Sequence, residues 1–258
     1  DSESPSYRIV GGTERLIEKL HENIPEVDIL LNTKITSIID NEEEIILKTN
    51  EGTSLNADFV ILCLPPQLAA SQIQFSPHLP SNLMRILPAV QTWMSGSIKF
   101  VLEYDTPFGR THGYSGMIYS HVGIISEMYD HTNVEGTKFG FTGFLNREAA
   151  RYSPKERKQM VLQQLSSLLG NPSLTPLTYT DKVWTGAHVF EGNPTILRPH
   201  ENNGHPALQL GYMNEKLYFC GTETATEYAG YMEGALIAAQ RMARVLTKDK
   251  RNTPLTHG

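Results

Sequence analysis

The stretch GTETATEYAGYMEGALIAAQRMA, residues 221–243, concentrates the residue types that could hold a ligand. Gly221, Gly230, Gly234 and Ala235 leave little side chain in the way, so a backbone or a flat ligand can come close. A helix starting near Gly230 offers unpaired N–H groups that attract an anion or a polar acceptor. Thr222, Glu223, Tyr231 and Met232 place a hydroxyl, a carboxylate, an aromatic face and a soft apolar chain around that start. From spacing alone two readings stand: a binding surface, or a helix packed tightly on a sheet. Glu223 and Glu233 read equally as capping or surface carboxylates. Lys99 sits on an alternating stretch, where pattern alone makes it solvent-facing. The nine histidines show no His-x-x-x-His pair and there is no Cys-x-x-Cys, so little supports a metal site. Without a Gly-x-Ser-x-Gly or a P-loop, the matching hydrolase and NTPase readings weaken. Cys63 and Cys220 each end an apolar strand-like run and read as buried free thiols, with a bridge left open.

The elements that must position these residues are legible in outline. With 40% hydrophobic and 19% charged residues in 258, the composition is that of an ordinary globular protein. A net charge of −6 with no basic run argues against nucleic acid or an anionic membrane as main partner. No apolar run approaches the ~18 residues of a membrane span. The opening DSESPSYRIVGG lacks a secretory-signal pattern, so a cytoplasmic location is the default expectation.

From Thr13 the spacing of Leu16, Ile17, Leu20 and Ile24 predicts a helix. Strands are expected at VDILLN, KITSIID, EIILKTNEG and ADFVILCLPP. Residues 59–64 are apolar on both parities, as in a strand buried on both faces. A short helix is expected over 81–87. From Gly96 the character changes: GSIKFVLEY, GIISEMY and TKFGFTGFL alternate, as antiparallel strands do. SPKERKQMVLQQLSSLLG reads as a helix with Ser153 as N-cap, Pro154 first, Glu156 as capping-box partner and Gly170 as stop. A loop-rich segment, a strand KLYFC and a helix over 230–246 close the pattern. The fold class expected is mixed α/β. Residues 96–183 read as an insertion between two parts of another domain, 1–95 and 184–250, with 251–258 as a tail.

The segment GTETATEYAGYMEGA resembles the C-terminal FAD-binding signature of the flavin-containing monoamine oxidase family. RIVGGTERLIEKL, VILCLPPQL, GSIKFVLEYDTPF and KVWTGAHVFEGNP resemble further segments of that family, in its order, over about residues 7–247. The resemblance implies a partial FAD-binding domain interrupted by a substrate domain of antiparallel strands and helices. It implies oxidation of an amine to an imine, with hydrogen peroxide formed as oxygen reoxidises the flavin; the cofactor carries that chemistry and the protein positions it.

The resemblance also assigns residues. Lys99 matches the lysine whose ammonium holds a water beside the flavin. Tyr231 matches one wall of an aromatic cage that orients the amine. Trp184 falls near the ring edge, and Ile35 near the adenine. Pro65 falls at the Pro pair ending a flavin-domain strand. Gly221, Thr222, Glu223, Gly230, Tyr231 and Met232 line the ribityl and pyrophosphate region. Pro194 stands where the second cage aromatic would fall, which puts the usual monoamine specificity in question. Asn193 stands where some members carry a flavin-linked cysteine, so any FAD is expected to be non-covalent. No Gly-x-Gly-x-x-Gly unit is present, although a dinucleotide-binding domain uses one to cradle the pyrophosphate. The expectation is therefore a C-terminal fragment, inactive alone, acting with O2 on a small amine once completed. Its exposed sheet should be covered by a homo-oligomer or by the missing segment. The alternatives are a non-catalytic interaction module, or a related oxidase of amino acids or polyamines.

Overall fold

The computed structural model describes residues 7–92, 94, 96–184, 198 and 200–252, the side chains of Pro172 and of residues 248–252 excepted. Its elements run α1 (Glu14–Glu22), β1 (Ile35–Asp40), β2 (Ile45–Thr49), β3 (Ser54–Ala57), β4 (Val60–Leu62), α2 (Pro66–Gln72), β5 (Gln74–Ser76), α3 (Ser81–Ile86) and β6 (Ile98–Tyr104). There follow α4 (Phe108–Thr111), β7 (Met117–Tyr119), β8 (Ile125–Asp130), β9 (Phe139–Leu145), α5 (Pro154–Leu169), β10 (Thr178–Val183), β11 (Leu217–Phe219) and α6 (Met232–Asn252).

Among the described residues, three sheets form. A four-stranded sheet has the order β3-β2-β1-β5, a five-stranded sheet β10-β6-β9-β8-β7, and β11 pairs with β4. Ile38, Ile45, Leu83, Leu87, Leu217 and Phe219 belong to one core, which joins the first sheet, the β4–β11 pair and the short helices. A second core lies between the five-stranded sheet and α5. β6 shows why: Ile98, Phe100, Leu102 and Tyr104 are buried, and Lys99 and Val101 between them are exposed. That alternation puts Lys99 on the face away from α5.

Local chemistry fixes α5. Ser153 Oγ accepts from Glu156 N, and Glu156 returns a bond to Ser153 N, a complete capping box. Its Val161 and Leu165 are fully buried against the sheet. Arg157 of α5 forks onto Asp181 of β10, with Nε–Oδ2 at 2.9 Å and Nη2–Oδ1 at 2.6 Å. Tyr179 Oη donates to the same carboxylate at 2.8 Å. Burial alone would raise the Asp181 pKa; the bonds from Arg157 and Tyr179 win and hold it below the usual range.

Three expectations change. VDILLN forms no strand: residues 27–34 are irregular, and every residue from 7 to 34 is exposed. α1 has the expected periodicity, yet none of its residues is buried. The run 59–64 forms only three strand residues and is buried on one face. Val60 and Leu62 face the first core, whereas Phe59 and Ile61 are exposed and Cys63 with them. The reason is coverage: on that other face α6 packs over Tyr218 and Cys220 of the neighbouring strand, where a third small core forms. Cys63 is thus a free but exposed thiol, and Cys220 a free buried one.

Candidate functional site

β11 runs directly into the turn at Gly221. Cys220 N donates to Leu62 O at 2.9 Å, so the chain leaves the sheet still paired with β4. Thr222 then pins the turn to the start of α6. Its Oγ1 accepts from Gly230 N at 2.9 Å and donates to Tyr231 O at 2.8 Å. Gly230 has φ +84°, a left-handed conformation open to glycine. Gly234 is bare for a different reason: a Cβ there would lie 2.3 Å from Tyr228 O and 2.7 Å from Thr222 Oγ1.

Glu223 is buried, not a surface carboxylate, and burial pushes its pKa up. Glu233 is exposed in the first turn of α6. Tyr231 and Met232 are about half exposed at the same helix start. Tyr231 stacks on His200, with ring centroids 6.0 Å apart and planes 20° from parallel. The loop bearing His200 is strapped in place: Asn202 Nδ2 donates to Ala89 O, Asn203 Nδ2 to Gln91 O, and Gly204 N to Glu223 O. The segment leading into Pro65 borders the turn, with Leu64 O 3.3 Å from where a Gly221 Cβ would be. Arg241 of α6 donates through Nη2 to Phe219 O at 2.6 Å and to Thr224 Oγ1 at 3.2 Å, tying helix to strand.

The residues on the five-stranded sheet form a second group. Lys99 pairs across strands with Phe144 and Lys182. Its Nζ lies 5.8 Å from the Phe144 ring centroid, and Lys182 Nζ lies 5.6 Å from that of Trp184. Trp184 N donates to Ser97 O at 3.3 Å, which keeps the indole beside the start of β6.

Of the sequence-predicted residues, Pro65, Gly221, Thr222, Glu223, Gly230, Tyr231 and Met232 thus come together around one turn. Lys99, on the inner strand β6, and Trp184, just past the neighbouring edge strand β10, lie on the same sheet. Ile35 begins β1 and packs on the first core. Asn193 and Pro194 lie outside the described residues. His200 and Arg241 were missed: Arg241 lies in the 221–243 stretch but was given no role, and His200 stands in no motif, so only the fold brings it to the turn. A cavity of about 220 Å³ between β7 and the end of α5 involves none of these residues. Among the described residues no group of three metal-ligating side chains forms, and no helix is long and apolar enough to cross a membrane.

A sequence profile described as "Flavin containing amine oxidoreductase" matches residues 1–247. The chain belongs to that family. It is 30% identical over 253 residues to the "Probable flavin-containing monoamine oxidase A" of Dictyostelium discoideum, covering 94% of this chain and 53% of that protein. To the "Amine oxidase [flavin-containing] A" of Canis lupus familiaris it is 30% identical, covering 92% of this chain and 46% of the other. Among solved structures, cyclohexylamine oxidase from Brevibacterium oxydans IH-35A superposes with a TM-score of 0.78 at 25% identity, over 93% of this chain and 53% of that one. The chain therefore spans about half the length of the curated relatives it matches.

Proposed function

We propose that this chain carries the ring-side half of a flavin site and the substrate-side framework of an FAD-dependent amine oxidase. It turns over amines only when a dinucleotide-binding unit joins it, from the same polypeptide or a partner. The observation that carries this reading is the turn at 221–232. Its backbone is pinned by Thr222 while Tyr231 and Met232 stay exposed at a helix start, as a surface for a flat ring requires. The residues present fit the ribityl and ring portions of FAD. They do not include the Gly-x-Gly-x-x-Gly turn that grips the pyrophosphate.

Bound there, FAD would accept two electrons from the amine's α-carbon and pass them to oxygen as peroxide. The chain's own residues orient and polarise. Tyr231, backed by His200, offers a π face to a cationic or neutral amine. Lys99 sets an ammonium on the open sheet face, where it can hold a water and stabilise developing negative charge. Binding is non-covalent in this reading, since residues 185–199 contain no cysteine to link. The two large cores support a division into a flavin part, residues 1–95 and 184–250, and a substrate part, residues 96–183.

A second reading has its own observation. The unpacked apolar face of α1 favours an interaction module whose activity, if any, belongs to the assembly. The visible absorption spectrum of the purified chain, before and after adding FAD and desalting, separates the two. Retained flavin absorbance supports the oxidase; an amine panel with peroxide detection, polyamines and amino acids included, then assigns the substrate. A chain that stays colourless, and gains no flavin when the dinucleotide-binding half of a family relative is co-expressed with it, overturns it.

A further inference from the structure

β4 and β11 are parallel, with Val60, Ile61 and Leu62 opposite Leu217, Tyr218 and Phe219. The next pair in that register is Cys63 opposite Cys220, and the ladder reaches it through the Cys220 N to Leu62 O bond. In-register residues of neighbouring strands point to the same face. Strands lie about 4.8 Å apart, inside the roughly 4.4–6.8 Å between Cα atoms that a disulfide spans. Each thiol is close enough to perturb the ionisation of the other. Their surroundings differ. Cys63 is exposed, whereas Cys220 is buried beneath Ala238 and Met242 of α6.

We propose that this pair is a peroxide-sensitive modification site, at which Cys63 is oxidised first and Cys220 resolves it to an intrachain disulfide. The neighbouring Cys220 thiol lowers the Cys63 pKa to about 7, so an exposed nucleophilic thiolate is well populated near neutrality. The proximity of Cys63, together with burial, pushes the Cys220 pKa up and keeps that sulfur a protonated resolver. The Cys63 thiolate attacks one oxygen of hydrogen peroxide. An S–O bond forms, the O–O bond breaks, and hydroxide leaves. Cys220 then attacks the sulfenic sulfur. The S–S bond forms, the S–O bond breaks, and the thiol proton departs with the hydroxyl as water. Two thiols lose two electrons and one peroxide is reduced. The bridge would close immediately before Gly221 and tie the 63–65 segment to the turn.

The test needs only reagent peroxide, so its failure is distinct from failure of the amine oxidase reading. The reduced chain is treated with hydrogen peroxide, remaining thiols are alkylated, and peptides are mapped by mass spectrometry. The expected product is a monomer in which neither cysteine alkylates, with a linked peptide pair that dithiothreitol separates. In Cys220→Ser the reaction should stop at a Cys63 sulfenic acid that dimedone traps. In Cys63→Ser, Cys220 should stay alkylatable after unfolding. Peroxide-treated protein whose Cys220 remains a thiol while Cys63 runs on to the sulfinic acid would overturn the proposal, as would disulfide-linked dimers. Circular dichroism on both serine variants separates a lost fold from lost chemistry.

Discussion

Thr222 satisfies two backbone groups at once, the N–H of Gly230 and the carbonyl of Tyr231. Thr222→Val keeps the shape and removes both bonds, at a cost of about 1–3 kcal/mol. The melting temperature should fall, and in any flavin-binding assembly the cofactor should loosen with it. An unchanged melting temperature would mean that water replaces the hydroxyl and that the turn is held elsewhere. Lys99 is the contrasting case. It is exposed on its strand, so Lys99→Met should leave stability within about 0.5 kcal/mol. In an FAD-loaded oxidase the same change should lower kcat/KM on the order of 100-fold, as removing a preorganised charge does. Equal loss of folding and turnover would count against the assignment. Thr222 was legible as part of a group because the turn keeps glycines, hydroxyl and aromatic local in sequence, whereas Lys99 was singled out only through the family resemblance. His200 was not legible, because its place against Tyr231 depends on Asn202 and Asn203 reaching back to residues 89–91.

At the scale of elements, α5 depends on a buried charge pair as well as on its apolar stripe. The side chains of Arg157 and Asp181 are 6% and 3% exposed. Asp181→Asn leaves the guanidinium buried without its counter-charge and should cost about 3–5 kcal/mol at neutral pH. Because the folded-state pKa of Asp181 is depressed, the pair's contribution is present above the unfolded value, about 3.9. It is lost as pH falls through the lower folded value. Denaturant titrations should therefore show the parent and Asp181→Asn converging in acid. Curves that stay parallel from neutral pH down would exclude Asp181 as a source of the acid limb. The helix itself was readable from its capping box and stop, as β6 was from its alternation. The errors fell where burial depends on a neighbour. Residues 27–32 have the apolar composition of a strand but pair with no strand among the described residues, and 59–64 have two apolar faces of which the fold covers one.

For the whole molecule, the deciding quantity is the apolar surface left uncovered. Leu16, Ile17 and Leu20 form the apolar face of α1 and are all exposed, and Ile24, Ile29, Leu30 and Leu31 beyond the helix are exposed as well. A nine-residue helix is marginal in water unless something packs on it. An apolar helix face left exposed in this way is a candidate interaction surface on a folded protein. Two outcomes follow from coverage. If a second copy covers the face, the mass measured by light scattering rises with concentration and amide exchange in residues 14–22 slows in parallel. If the cover is an upstream flavin-binding unit, the chain alone shows fast exchange there at every concentration and binds a hydrophobic dye. Co-expression with that unit then protects the helix and admits FAD together. A monomer with slow exchange over 14–22 and no dye binding would show that α1 packs on its own chain and needs no outside cover.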